Sequence, residues 1–426
     1  MKKILILAAV AALALTACKK DPAPTPGPTP TPVSEFITGS GTIADPYVLY
    51  KAEHLDSLAI LADLKDWKEE KRDAYFTAVD STCFKLGNDI DCKSAERTPI
   101  DLAMDKTKGK KIDFNGAGFA IKNFKVTGSE KVGLFSNLVG NIHDLKVTGA
   151  DVTFTGKKGG ILVGQASTGN AIYTNIYNCY VQGKVAYTGD GTVDTEVSLG
   201  GLVGQQCFGR VSCCEVDAEL VCGGKAGEHY VGGIMGSFGK DSCPVSNCIT
   251  RGNYHSTEGS DTYMFGGIAG CSQKQGFTIT NCISLAKINC KDFAGGIVGL
   301  LNYNKVQENC HGSAKDCEVK GCIAWNDEIK ANGPKILDSG IKLGAIVAWG
   351  SVGDNYSSCW RNPALTGFSD DADHVKDPDY SGKPCIIYNG KAAAAGKTAS
   401  AVAKELGWDE TIWDLSGDVP ALKCLK

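Results

Sequence analysis

Four groups of residues in this sequence have types and spacings that could do chemistry. The segment CHGSAKDCEVKGC carries Cys310, His311, Cys317 and Cys322, four soft ligands of the kind that hold zinc. Their spacing matches no tight zinc knuckle, so a loop braced by a disulfide is the better reading. The segment SDDADHVKDPDY gathers Asp370, Asp371, Asp373, Asp377 and Asp379, and calcium favours clustered oxygens. It lacks the order of an EF-hand and the closing glutamate, and reads as a solvated acidic loop. Glu215, Asp217 and Glu219 alternate, which places three carboxylates on one side of a strand at intervals of about 7 Å. Glycan cleavage needs such groups to converge in one groove; on a flat wet face they pair with charges on neighbouring strands instead. No Ser–His–Asp order, metalloprotease helix or phosphate loop stands out. The expectation is therefore no catalytic residue, no metal and no cofactor. The fourth group is the 19 cysteines.

Six of those cysteines define the elements that must position everything else. Cys179, Cys214, Cys248, Cys282, Cys322 and Cys359 follow one another at 35, 34, 34, 40 and 37 residues. Between them recurs a glycine motif: GGILVG from Gly159, GGLVG from Gly200, GGIMG from Gly232, GGIAG from Gly266 and GGIVG from Gly295. GAIVA from Gly344 is a decayed copy, and VGLFSN from Val132 is an atypical first one. A near-constant period with variable inserts marks a solenoid. After each cysteine the period becomes two: Cys214, Val216, Ala218 and Leu220 alternate with Glu215, Asp217 and Glu219, a strand with one dry face. Stacked at about 4.8 Å, the strands place Leu145 and the six cysteines in one inward ladder. Val147, Val181, Val216, Thr250, Ser284 and Ala324 form the next row. The predicted fold is all-β, a right-handed parallel β-helix, with a short N-terminal helical cap over KAEHLDSLAILADL from Lys51. A second short helix is expected over 398–409. Ladder cysteines point in parallel, which suits packing better than bridging. Cys83 with Cys92, Cys310 with Cys317 and Cys385 with Cys424 are the better disulfide candidates.

Charged residues are 22% of the 426 and the net charge is −4, so nothing calls for nucleic acid. Lys2, Lys3 and a 12-residue apolar run from Ile4 to Leu15 form a signal segment too short to span a bilayer. It ends in LTAC, which resembles a bacterial lipobox and makes Cys18 the expected lipidation site of a lipoprotein. Six prolines between Asp21 and Val33 favour a semi-rigid polyproline stalk. The expected organisation is a signal peptide (1–17), an anchor cysteine and stalk (18–38), an N-terminal cap with first coils (39–130), repeats (131–365), and a C-terminal coil and cap (366–426). The membrane is then a partner through the lipid, and the outer membrane surface the expected location.

These repeats resemble the GLUG motif. GSGTIADPYVL from Gly39, FKLGNDIDC from Phe84, IDFNGAGFAIKNFKV from Ile112 and LGWDETIWDLSGDVPALK from Leu406 resemble the flanking segments of that family. Asn115 stands where the family usually has Asp, and Ala117 where it usually has Asn. The resemblance implies a surface-anchored, adhesin-like protein with a non-catalytic role in display or binding, and names no ligand. The register adds one anomaly. Ile249, Ile283 and Ile323 form an outward row, with Leu285 and Trp325 beside it. Such a patch is either covered by another part of the chain or binds a partner. Taken as a ligand face, it comprises Trp325, Leu285, Ile283, Ile249, Tyr180 and Asp217. The expected function is recognition of a host or cell-surface glycan or protein. The alternatives are a carbohydrate-active β-helix enzyme, such as a polysaccharide lyase or glycoside hydrolase, and a structural spacer of a surface assembly.

Overall fold

A computed structural model describes residues 37–58, 81–102, 111–167, 173–190, 196–224, 227–239, 243–257, 263–272, 276–301, 317–332, 342–351, 355–369, 375–380 and 383–426. The expected signal peptide, Cys18, the stalk up to residue 36, Cys310, His311 and Asp370 to Asp373 lie outside them. So do the side chains of Asp377, Asp379 and Cys385.

The chain is an all-β parallel β-helix. Each full coil visits four sheets in turn. The first face has ten strands, from Tyr47–Leu49 to Asn355–Ser357, all parallel. The second runs from Ile90–Asp91 to Lys391–Ala392 and holds the longest repeat strands, Tyr180–Tyr187, Glu215–Cys222 and Ile249–Ser256. The third has seven strands, Lys131–Val132 to Lys342–Gly344. The fourth runs from Ile100–Asp101 to Val347–Ser351, where an antiparallel pair, Lys383–Tyr388 and Val375–Tyr380, takes over its exposed edge. An open strand edge is a template for unwanted pairing, and reversing direction ends the template.

The predicted register is the observed one. Val181 pairs with Val216, Val216 with Thr250, Thr250 with Ser284 and Ser284 with Ala324. Cys179, Cys214, Cys248, Cys282 and Cys322 are fully buried. The residue before each ladder position turns the corner from first to second face in the left-handed region: Asp144 (φ 51°), Asn178 (53°), Cys213 (52°), Asn247 (53°), Asn281 (51°), Gly321 (62°) and Ser358 (54°). Asn, Asp and Gly enter that region most readily, which explains the recurrent Asn-Cys. The cysteine completes the corner. Its thiol donates to the carbonyl two residues back: Cys179 to Tyr177 at 3.3 Å, Cys214 to Ser212 and Cys248 to Ser246 at 3.2 Å, Cys282 to Thr280 at 3.3 Å. A small side chain that also satisfies a buried carbonyl suits this position. Cys92 is a free thiol, so the bridge expected with Cys83 is absent. The two side chains sit on different faces, Cys83 in Ser81–Leu86 of the first and Cys92 just after Ile90–Asp91 of the second.

Both predicted helices are present in shortened form. Ala52–Asp56 buries Leu55 against the first coils, and Arg97 donates to the Ala52 carbonyl at 2.8 Å; the predicted continuation past residue 58 lies outside the described residues. Ala399–Glu405 starts at Thr398, whose hydroxyl accepts from the Ala401 amide at 3.2 Å. This second helix lies along the flank of the solenoid. With Trp408, Trp413, Leu415 and Leu422 it packs on Ile249, Ile283 and Ile323, the outward row of the second face.

Candidate functional site

That C-terminal cap removes most of the predicted ligand face. Ile249 and Ile283 are fully buried beneath it, and Leu285 and Trp325 are half-buried against the same cluster. An apolar row on a wet face gains more by intramolecular burial than by waiting for a partner, and the cap supplies the cover. Asn326 points inward and donates to the Ser284 hydroxyl at 3.1 Å and the Ala286 carbonyl at 2.6 Å, so the coil keeps its register by burying a hydrogen-bonded amide. Tyr180 and Asp217 remain half-exposed on the second face. Asp217 does sit between Gln182 and Arg251, but Arg251 donates to the diagonal Glu215 at 2.8 Å, while Lys184 pairs with Glu219 at 3.5 Å. Burial, with the nearby carboxylates of Asp217 and Glu215, holds the Tyr180 phenol above its ordinary pKa. These groups form a charge-paired sheet surface and no converging carboxylate pair.

A different site lies where the cap ends. The corner row continues beyond it through Asn178, Asp144 and Ala117, and leaves a groove of about 450 Å³. Lys85, Asn115, Lys146 and Asn178 line it, and Cys424 and Leu425 of the cap close one end. Three first-face strands, Lys111–Asn115, Gly140–His143 and Thr174–Tyr177, run in register up to the corner that it follows. Their outward residues form two rows. In one, Asn175 donates through its amide to Asn141 at 3.0 Å, and Asn141 donates to Asp113 at 3.0 Å. In the other, the His143 ring stacks on Tyr177, 4.9 Å between centroids and 3° from parallel.

His143 is the electrostatic centre. Its Nδ1 lies 2.7 Å from Asp144 Oδ2 and its Nε2 lies 3.3 Å from Asp113 Oδ2. Asn178 donates to the other Asp144 oxygen at 3.0 Å. Burial disfavours the charged ring, but the two carboxylates outweigh it and raise its pKa to about 9. The His143 contact in turn holds Asp113 below the usual carboxylate range. At neutral pH the ring is an imidazolium with both nitrogens donating. It has no lone pair to act as a base, and Asp113 holds no proton to act as an acid.

The same geometry fixes a pH dependence. A folded-state pKa raised from 6.5 to about 9 contributes stability that is fully present below pH 6.5 and is lost as pH rises through 9. His143→Phe keeps the ring stack and removes the charge. The wild-type chain is expected to lose on the order of 2 kcal/mol more than this variant between pH 6 and pH 9.5, allowing for solvent reaching Asp144. Parallel curves for the two proteins in urea titrations at several pH values would remove His143 from the account.

Sequence reasoning did not single out Asp113, His143 or Asp144. The clue was present: NIHDLKV from Asn141 aligns with NIYNCYV from Asn175, so the repeat extends upstream of the ladder position and carries Leu145 where later coils have cysteine. Among the described residues no cluster of three or more His, Cys, Asp or Glu could hold a metal, and no helix is long and apolar enough to cross a membrane.

No family model matches the chain, and no curated protein matches it. Among solved structures it is similar to a Bacteroides ovatus protein described as a putative immunoglobulin A1 protease. The identity is 20% and the TM-score 0.58, over 91% of this chain and 95% of that one. At that identity the likeness is one of fold, and the fold is the stacked parallel β-helix described above.

Proposed function

We propose that this protein is a lipid-anchored, surface-displayed, adhesin-like binding protein of the GLUG-repeat type, which holds a glycan or protein ligand without cleaving it. One observation carries the reading: the groove beside the cap is lined by the amides of Asn115 and Asn178 and by two lysines, and on the adjoining sheet surface the groups that could do acid–base work are already bound to each other. Asn141 and Asn175 are held in a hydrogen-bonded ladder on a rigid sheet, and Lys85 and Lys146 line the groove. Preorganised amides and charges suit the hydroxyls, amides and carboxylates of a polar ligand. A glycosidase needs one carboxyl kept protonated near a second, and the cationic His143 works against that at Asp113. LTAC at Cys18 and the proline-rich segment after it support the anchor and the stalk.

The test is a binding screen of the purified chain against glycans and extracellular-matrix proteins, with product analysis of every ligand that binds. Immunoglobulin A1 belongs in the panel because of the description attached to the structurally similar protein. Reversible binding is expected, weakened about tenfold, or roughly 1.4 kcal/mol, by Lys146→Ala or Lys85→Ala in the groove lining. Ligand cleavage would overturn the binding-only reading.

A further inference from the structure

The corner row contains a cysteine that its backbone conformation does not explain. At the left-handed position of successive coils stand Asp144, Asn178, Cys213, Asn247, Asn281, Gly321 and Ser358. Asn, Asp and Gly fit that conformation; cysteine has no such preference. Cys213 is also where the C-terminus arrives. The cap is fastened along this same row: the Trp408 indole donates to the Gly321 carbonyl at 3.0 Å, and the Trp413 indole donates to Asn247 Oδ1 at 3.2 Å. One corner further, in the turn Lys423–Leu425, the Cys424 sulfur lies 3.9 Å from the Cys213 carbonyl oxygen. The two cysteines thus meet at one corner of the flank.

We propose that Cys213 and Cys424 are a disulfide-forming pair that clamps the C-terminal cap onto the flank of the β-helix. Accessibility separates this pair from the ladder thiols. Cys179, Cys214, Cys248 and Cys282 are fully buried, whereas Cys424 is exposed and Cys213 half-exposed. The oxidant is a small-molecule or protein disulfide. The Cys424 thiolate attacks one of its sulfurs and releases one thiol. Cys213 then gives up its proton and attacks the Cys424 sulfur of the mixed disulfide, releasing the second thiol. Two electrons and two protons pass from the pair to the oxidant. Cys213 beside it holds the Cys424 thiol below its ordinary pKa, and Cys424 is the more exposed of the two, which makes it the attacking thiolate. The bridge would close a loop spanning 211 residues. It would also fix the wall of the groove to which Cys424 contributes.

The test uses the full chain under native conditions with oxidised glutathione, followed by alkylation and peptide mapping without reduction. The expected product is a linked pair of peptides containing Cys213 and Cys424, lighter by about 2 Da than the two thiols. Its Tm should exceed that of the reduced chain by roughly 5–10 °C. Cys213→Asn supplies the residue that the corner favours, so it keeps the fold while abolishing the linked peptide and the Tm rise. It also separates Cys213 from its neighbour Cys214 in the map. Cys424 found alkylated, held as a glutathione adduct or joined to another cysteine would overturn the proposal. So would a Cys213–Cys424 bridge that leaves the Tm unchanged.

Discussion

Replacing Gly233 with alanine is expected to destabilise the chain by at least about 3 kcal/mol, beyond the usual range for a surface change. A methyl group there would lie 2.3 Å from the Gly267 carbonyl oxygen and 2.4 Å from the Tyr254 hydroxyl. The first clash is with backbone, so no rotamer relieves it. The same contact repeats up the helix. A Cβ at Gly201 would meet the Gly233 carbonyl at 2.3 Å, at Gly267 the Gly296 carbonyl at 2.0 Å, and at Gly296 the Ala345 carbonyl at 2.1 Å. Parallel ladders on both sides hold the coils about 4.8 Å apart, so the column cannot open at one rung without breaking pairs at others. In a solenoid each coil contacts only its neighbours, and a break at Gly233 uncouples the two halves. Gly118→Ala is the matched control. Gly118 has φ +80° and nothing within 4 Å of a built Cβ, so only backbone strain of about 1 kcal/mol applies. Urea or thermal unfolding of both variants measures the contrast. Equal losses would mean that close coil approach is not the reason for the motif.

That column shows what the sequence made legible. Three glycines in five residues, repeated with an alternating strand between copies, can only mean backbones in contact and strands in register. The decayed GAIVA copy fits the same rule. Ala345 tolerates its methyl at the last coil, where its amide meets the Asn389 side chain and no further glycine coil follows. Rows of the second face were readable because a period of two leaves no freedom once one residue is placed. The identity of the cover was not readable. Trp408 reaches a carbonyl 87 residues away and Trp413 an amide 166 residues away, and nothing local in either segment encodes the partner. The groove was hidden for another reason. Its residues come from the first coils, around the position where Leu145 interrupts the cysteine pattern, and from the distant C-terminus, and the charge beside it depends on Asp113 and Asp144 approaching His143 from two directions. The bridge expected between Cys385 and Cys424 rested on both lying off the ladder; the Cys385 side chain lies outside the described residues, and Cys424 meets the Cys213 carbonyl on the flank of a distant coil.

Trp413→Ala is expected to release the cap while leaving the coils folded. Trp413 is 1% exposed, stacks near Trp408 with centroids 4.5 Å apart, and spends its only donor on Asn247. Truncating a buried tryptophan costs about 3–5 kcal/mol. The cap has little with which to absorb that loss: a seven-residue helix, one two-stranded pair, Trp413–Asp414 with Ala421–Leu422, and the shared cluster on the flank. The coils depend on their own ladders, and the cap adds no strand to the central repeats, so the loss stays local. Its detachment would expose Ile249, Ile283 and Ile323 as one apolar stripe, which should bind a hydrophobic dye and promote self-association. Three readouts follow from this separation. Limited proteolysis should cut within 393–426 at much lower protease concentration than in the wild type. Far-ultraviolet dichroism should keep its strand signal. Hydrogen exchange should accelerate in the cap and at the outward row, and stay slow along the cysteine ladder. If the coils instead unfold together with the cap, the flank contact is part of the cooperative core, and the apolar row is needed to hold the coils in place as well as to seat the cap.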